Sequence, residues 1–161
     1  VDICRIYGNL KIMYDINKIN ILPDKWVYMN FNINTYPIER QEVYDKFKNK
    51  TWVSLGKIDT SLQGRRNFLC EIRAHKFVLC PRGNGVDTHR LWETLYMGRI
   101  PIVQYHIGYA EFADLPILFV NNWDDLTLEF LQQKYKIFIN KEWNMDKLKM
   151  SYWKDKLSSL I

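Results

Sequence analysis

The 161 residues, 47% apolar and 15% aromatic, make a single domain's length of chain, long enough to bury ~70% of its unfolded surface. Twenty-three basic against 18 acidic side chains give a formal charge of +5, and the apolar fraction excludes a disordered or low-complexity chain. No apolar run approaches the ~20 residues that cross a bilayer, and VDICRIYG at the start is not a charged-then-apolar leader.

Residues 1–25 mix short apolar stretches with Asn, Lys and Asp and end at Leu22-Pro23-Asp24. They read as a linker or the tail of a preceding element, which leaves 26–161 as one α/β domain. WVYMNF (26–31) has the β-branched and aromatic content of a strand, and Pro37 then favours the first turn of a helix through Phe47. TWVSL (51–55) is a second strand. Leu62, Phe68, Leu69 and Ile72 predict a helix over 62–75, with Gly64 weakening its start.

KFVLC (76–80) is a third strand running into the turn PRGNGVD, and THRLWETLYMG is a helix closed by Gly98. IPIV (100–103) and ILFV (117–120) are wholly apolar, as strands covered on both faces are. Asp124 or Asp125 is expected to cap a helix over 126–138, and Asn144 the last one. In that last helix Met150, Trp153, Leu157 and Ile161 form one stripe, expected to pack in the domain's core, with packing against a further domain as the alternative. Strand alternates with helix throughout, and parallel strands need such crossovers, so the fold class is α/β with a doubly wound, mostly parallel, Rossmann-like sheet.

Cys4, Cys70 and Cys80 are too few and too scattered for a disulfide framework or a metal knuckle, and they favour a reducing compartment. His75, His89 and His106 have no partners at metal-ligand spacing, and Asn122-Trp123-Asp124-Asp125 reads as a helix cap, so no metal site is expected. Thirteen of the basic residues fall in 1–80 against eight acids, while 81–161 holds ten of each. A nucleic-acid-binding module using Arg65, Arg66, Lys46, Lys48 and Lys50 is therefore an alternative. The three arginines and seven acids of 81–130 count against it.

The segment 76–103 carries the chemistry. In an open parallel sheet, ligands sit beyond the carboxyl ends of the strands, where Pro81 to Asp87 fall. Gly83 and Gly85 permit backbone conformations and close approaches denied to other residues. A helix start at Asp87 to Arg90 offers unpaired N–H groups to an anion, and Arg82 and Arg90 add forked cationic donors. Arg90 and Glu93 share a helix face, one suited to phosphate and the other to sugar hydroxyls, a combination fitting a nucleotide diphosphate sugar. A dinucleotide fingerprint fails at Thr88 and Gln104, and there is no P-loop. A bare tight turn, a helix cap and a surface ion pair would account for the same residues one at a time.

The ordered string Cys80-Pro81-Arg82-Gly83, Thr88-x-Arg90-x-x-Glu93-Thr94-Leu95 and Arg99-Ile100-Pro101-Ile102-Val103 resembles the exostosin-type glycosyltransferases. More broadly it is similar to the nucleotide-sugar-binding half of GT-B enzymes. The resemblance implies that Arg90 lies against the donor diphosphate and that Glu93 accepts from the ribose hydroxyls. It also implies that Arg82, Gly83 and Gly85 shape the turn over the donor, with Thr88 and His89 beside it. Asn32 to Thr35 and Tyr105 to Tyr109 would form the rim. Sugar transfer to a glycan or other acceptor follows, with no cofactor and no essential metal. A missing N-terminal domain would bind the acceptor and supply the catalytic base, so no catalytic residue is assigned here. A sugar-nucleotide-binding domain without activity is a further alternative.

Overall fold

Asn9 caps α1 (Leu10–Asn17), its side-chain oxygen accepting from Ile12 N at 3.2 Å. The computed structural model describes residues 9–159. Ile12, Met13 and Ile16 are buried in one cluster with Leu69 and Ile72. Of the stretch 1–25, expected as a linker or tail, residues 10–17 are thus a helix that contributes to the core, while Cys4 lies outside the described residues.

β1 (Lys25–Met29) is second from one edge of a five-stranded sheet. α2 (Pro37–Phe47) carries the chain to β2 (Val53–Leu55) on one side of β1, and α3 (Leu62–Ala74) returns it across to β3 (His75–Leu79) on the other. α4 (His89–Tyr96) leads to β4 (Ile100–Gln104), and a 3-10 segment at Ile107–Phe112 leads to β5 (Leu118–Val120). The order is β2-β1-β3-β4-β5 and every pair is parallel, so the domain is Rossmann-like α/β with a wholly parallel sheet.

The reversal between β2 and β3 puts α2 on one face of the sheet and α3 and α4 on the other. Val27, Met29, Phe77, Leu79 and Ile102 face Val43 and Phe47 of α2. Tyr28, Val78, Cys80 and Val103 face Leu69 and Ile72 of α3 and Leu91 and Leu95 of α4. That alternation is the two-residue period of a strand covered on both sides, and each large apolar side chain so buried contributes roughly 1.5–3 kcal/mol.

Helix ends explain the differences from expectation. Asn122, not either aspartate, caps the 3-10 turn Trp123–Asp125, and Asp125 returns a bond to Asn122 N at 3.2 Å. The Asp125 carboxylate is therefore used within that turn, and that of Asp124 meets Lys46. Thr127 caps α5 (Leu128–Ile139), accepting from Phe130 N at 3.2 Å. Asn144 caps the 3-10 turn Met145–Leu148, and α6 (Met150–Ser158) starts after it without a side-chain cap. The expected core stripe on α6 does not form: Met150 is 69% and Leu157 63% exposed, and Ile161 lies outside the described residues. Trp153 engages the domain, its ring 6.2 Å from that of Phe112 and its Nε1 donating to Lys147 O, and Lys156 pairs with Glu111 at 3.1 Å. No helix among the described residues is long and apolar enough to cross a membrane.

Candidate functional site

In a doubly wound sheet the crevice opens where the strand order reverses, here between β1 and β3 at their carboxyl ends. A cleft of about 620 Å³ lies there. Its lining comes from the segments after β1 (Asn30, Phe31, Asn32, Thr35), after β2 (Ile58, Asp59, Thr60) and after β3 (Gly83 to Gly85, Asp87 to Arg90), together with side chains from the helices that follow. Gly83, Gly85, Thr88, His89, Arg90 and Glu93 are all among the lining residues. Arg82 is not: its side chain lines a smaller pocket of about 280 Å³ on the other side of the same loop.

Three arginines enter the cleft from the first turns of three helices. Arg40 comes from α2, Arg65 from α3 and Arg90 from α4. Helix starts bring partial positive charge, and Arg40 and Arg90 add guanidinium groups to it, while Glu93 meets Arg65 and Asp59 and Asp87 also line the cleft. Thr88 fixes the start of α4 by accepting from Leu91 N at 3.4 Å, and Thr94 Oγ1 donates to Arg90 O at 2.7 Å. Phe31 stands between two of the cations, its ring centre 5.7 Å from the Arg40 and 5.8 Å from the Arg90 guanidinium carbon.

Arg65 is ion-paired with Glu93, and both are buried. Phe68 covers the same guanidinium, 4.8 Å from ring centre to Cζ. The pair sets the Glu93 carboxylate at the cleft wall. A carboxylate has about four acceptor sites, so one arginine does not by itself exhaust them.

Arg40 is 4% exposed and serves the turn over the cleft. Its Nε donates to Arg82 O at 2.8 Å and its Nη1 to Asn32 O at 2.7 Å, which ties the β1 and β3 loops together. Tyr109 OH donates to Val86 O at 2.7 Å, and Gly83 N donates to Gly85 O at 3.0 Å. The turn is thus clamped from both ends. Neither Gly83 nor Gly85 has a positive φ, so the expected special backbone conformation is absent. What Gly83 supplies is room: a Cβ there would stand 2.9 Å from Arg40 Nη2.

The smaller pocket lies beyond β3 and β4. Cys80, Arg82 and Val86 form one side, Tyr36, Glu39 and Glu42 another, and Val103 to His106 with Tyr109 the rest. The Arg82 guanidinium lies 4.5 Å from the Tyr36 ring centre. Glu39 accepts from Arg82 N at 3.4 Å, and its partial burial pushes its carboxyl above the ordinary range. Burial also pushes the Cys80 thiol up to about 12. Of the expected rim, Asn32 and Thr35 therefore border the large cleft, while Tyr105, His106 and Tyr109 border the small pocket.

Three of the five basic residues of the nucleic-acid alternative meet carboxylates of this chain. Arg65 is paired with Glu93, Lys46 meets Asp124 at 2.5 Å and Glu42 at 3.4 Å, and Lys48 meets Asp45 at 2.6 Å. Among the described residues no three of His, Cys, Asp and Glu gather as metal ligands. Sequence reasoning placed Arg65 in the basic patch and so missed its part in the cleft. The signal was spacing: Arg65 precedes Leu69 and Ile72, and Arg40 precedes Val43 and Phe47, so each arginine continues the apolar stripe of its helix. Compared with models of protein families the chain matches none, and a search of curated proteins likewise finds no match.

Proposed function

We propose that this domain binds the donor of a glycosyltransferase reaction, a sugar carried on a nucleoside diphosphate, and forms the donor half of a GT-B enzyme. The observation that carries the reading is the meeting of Arg40, Arg90 and the Arg65–Glu93 pair in one cleft at the β1/β3 reversal. In this reading the diphosphate lies against Arg90, Arg40 and the start of α4, and Glu93 accepts from the ribose hydroxyls. An acceptor hydroxyl forms the new bond to the anomeric carbon as the bond from that carbon to the diphosphate oxygen breaks. The departing nucleoside diphosphate takes both bonding electrons, and charge fixed in advance around it lowers the barrier. The catalytic base and the acceptor site belong to another domain. The exostosin-like string supports the same reading, because its Gly83, Thr88, Arg90 and Glu93 all line the cleft.

Calorimetric titration of the chain with UDP and GDP, each with and without magnesium, tests this directly. Micromolar, metal-independent binding that Arg90→Ala abolishes is the expected result. Equal affinity in wild type and Arg90→Ala would sink the assignment.

A further inference from the structure

Resting on that reading, we infer that the 280 Å³ pocket behind the 82–86 loop receives the sugar ring of the donor and selects a neutral sugar over a uronic acid. The two depressions share one loop: Gly83 and Gly85 face the anion cleft, while Arg82 and Val86 face the pocket. A ligand with its diphosphate on the arginines reaches the pocket by passing this loop. The pocket is near the lower end of the ~300–1,000 Å³ typical of small-molecule sites, a size for one ring and not for a whole nucleotide.

Its chemistry suits a hydroxylated ring. Tyr105 and Tyr36, the latter with Arg82 over one face of its ring, line it with the aromatic surface that packs on the C–H side of a sugar, and Glu39, Glu42 and the Gln104 amide offer acceptors and donors to its hydroxyls. Its one guanidinium, from Arg82, contrasts with the three arginines that enter the 620 Å³ cleft. Its charge gives the selectivity. Two carboxyl groups, Glu39 and Glu42, stand in the pocket with one guanidinium, Arg82, which lies over the Tyr36 ring, and Lys46, outside the lining, meets Glu42 at 3.4 Å. A carboxylate on the sugar would meet like charge there, and like charge at short range raises the free energy of the bound state.

The test compares the full chain's affinity for UDP, UDP-glucose, UDP-glucuronate, GDP and GDP-mannose. The wild type is expected to bind at least one neutral nucleotide sugar about tenfold more tightly than its bare nucleotide, and UDP-glucuronate no more tightly than UDP. Glu42→Gln, at an exposed position that leaves the core intact, and Tyr105→Ala are expected to reduce the sugar's increment while UDP and GDP affinities stay within twofold. Glu42→Gln is also expected to narrow the gap between UDP-glucose and UDP-glucuronate. Nucleotides that bind with no gain from any sugar would overturn the pocket assignment and leave the donor-cleft reading standing. So would variants that weaken bare nucleotides as much as sugars. Tight binding of the uronate would overturn the selectivity. Absence of binding by every probe would overturn both readings.

Discussion

The carboxylate of Glu93 on α4 meets the guanidinium of Arg65 on α3 in a buried ion pair, and this pair is both a wall of the cleft and a joint between two helices. Burying two charges costs several kcal/mol per ion before their attraction offsets it, so the pair adds little net stability while each partner depends on the other. Glu93→Ala should therefore destabilise the domain by about 3–5 kcal/mol, on the order of 10 °C in melting temperature. The double variant Arg65→Leu/Glu93→Leu should recover most of that loss. Thermal melts of the three proteins check it. A Glu93→Ala variant as stable as wild type would mean that water reaches the pair.

Gly83 should resist even the smallest side chain, for a reason local to Arg40. The Arg40 guanidinium is held by two carbonyl oxygens and has no slack to move away from a methyl group 2.9 Å distant. Gly83→Ala should cost roughly 1–3 kcal/mol of stability, the range for overpacking. It should also weaken nucleotide binding severalfold. Gly85→Ala is the milder comparison, because its Cβ would meet Asp87 alone, the carbonyl oxygen at 3.3 Å and Oδ1 at 3.7 Å. Denaturant melts and nucleotide titration of both variants decide the matter.

His75 makes the fold sensitive to mild acid. Its ring stacks on Tyr28 with centres 5.2 Å apart, and Nδ1 donates to Glu71 O at 2.6 Å. Nε2 is buried with no hydrogen-bond partner among the described residues, so protonation would place an N–H where nothing accepts it. The Glu71 carboxylate, 3.7 Å from Nδ1, favours the cation but is 41% exposed, and burial prevails to hold the folded pKa below the usual value. Above a pH of ~6.5 the ring is neutral folded or unfolded and adds no slope. Below that the unfolded chain takes up a proton that the folded one refuses, so stability falls with pH until the folded ring also titrates. Denaturant melts between pH 8 and 5 should show this loss, and His75→Phe should flatten it. An unchanged slope would assign it to other groups.

Cys80 should be chemically silent. With its pKa at about 12 it carries almost no thiolate at pH 8, and burial excludes reagents as well. Iodoacetamide followed by peptide mass analysis should leave Cys80 unmodified in the native protein and modify it fully in urea. Modification at native conditions would mean that the small pocket's floor opens.

Most of the frame was legible in the sequence because periodicity reports it directly. α2, α3 and β3 to β5 fall within a residue or two of expectation. Thr88 at the start of α4 and Gly98, with φ +70, at its end are read from chemistry that few other residues share. Arg65 and Glu93 were both visible as charges, but their partnership joins elements 28 positions apart and has no local signature. The caps near 122–127 went astray because Asn, Asp and Thr all satisfy helix N–H groups, and two caps lie within six residues of each other. The stripe on α6 shows that apolar spacing identifies a helix without identifying what covers it.

The outermost strands, β2 and β5, are three residues long, whereas the three inner strands have five. An edge that short exposes few unpaired N–H and C=O groups, so a second molecule finds little template along which to add a strand. A wholly parallel sheet, slow to assemble because its contacts are distant in sequence, is thereby protected from the edge-to-edge association that would compete with reaching its native form.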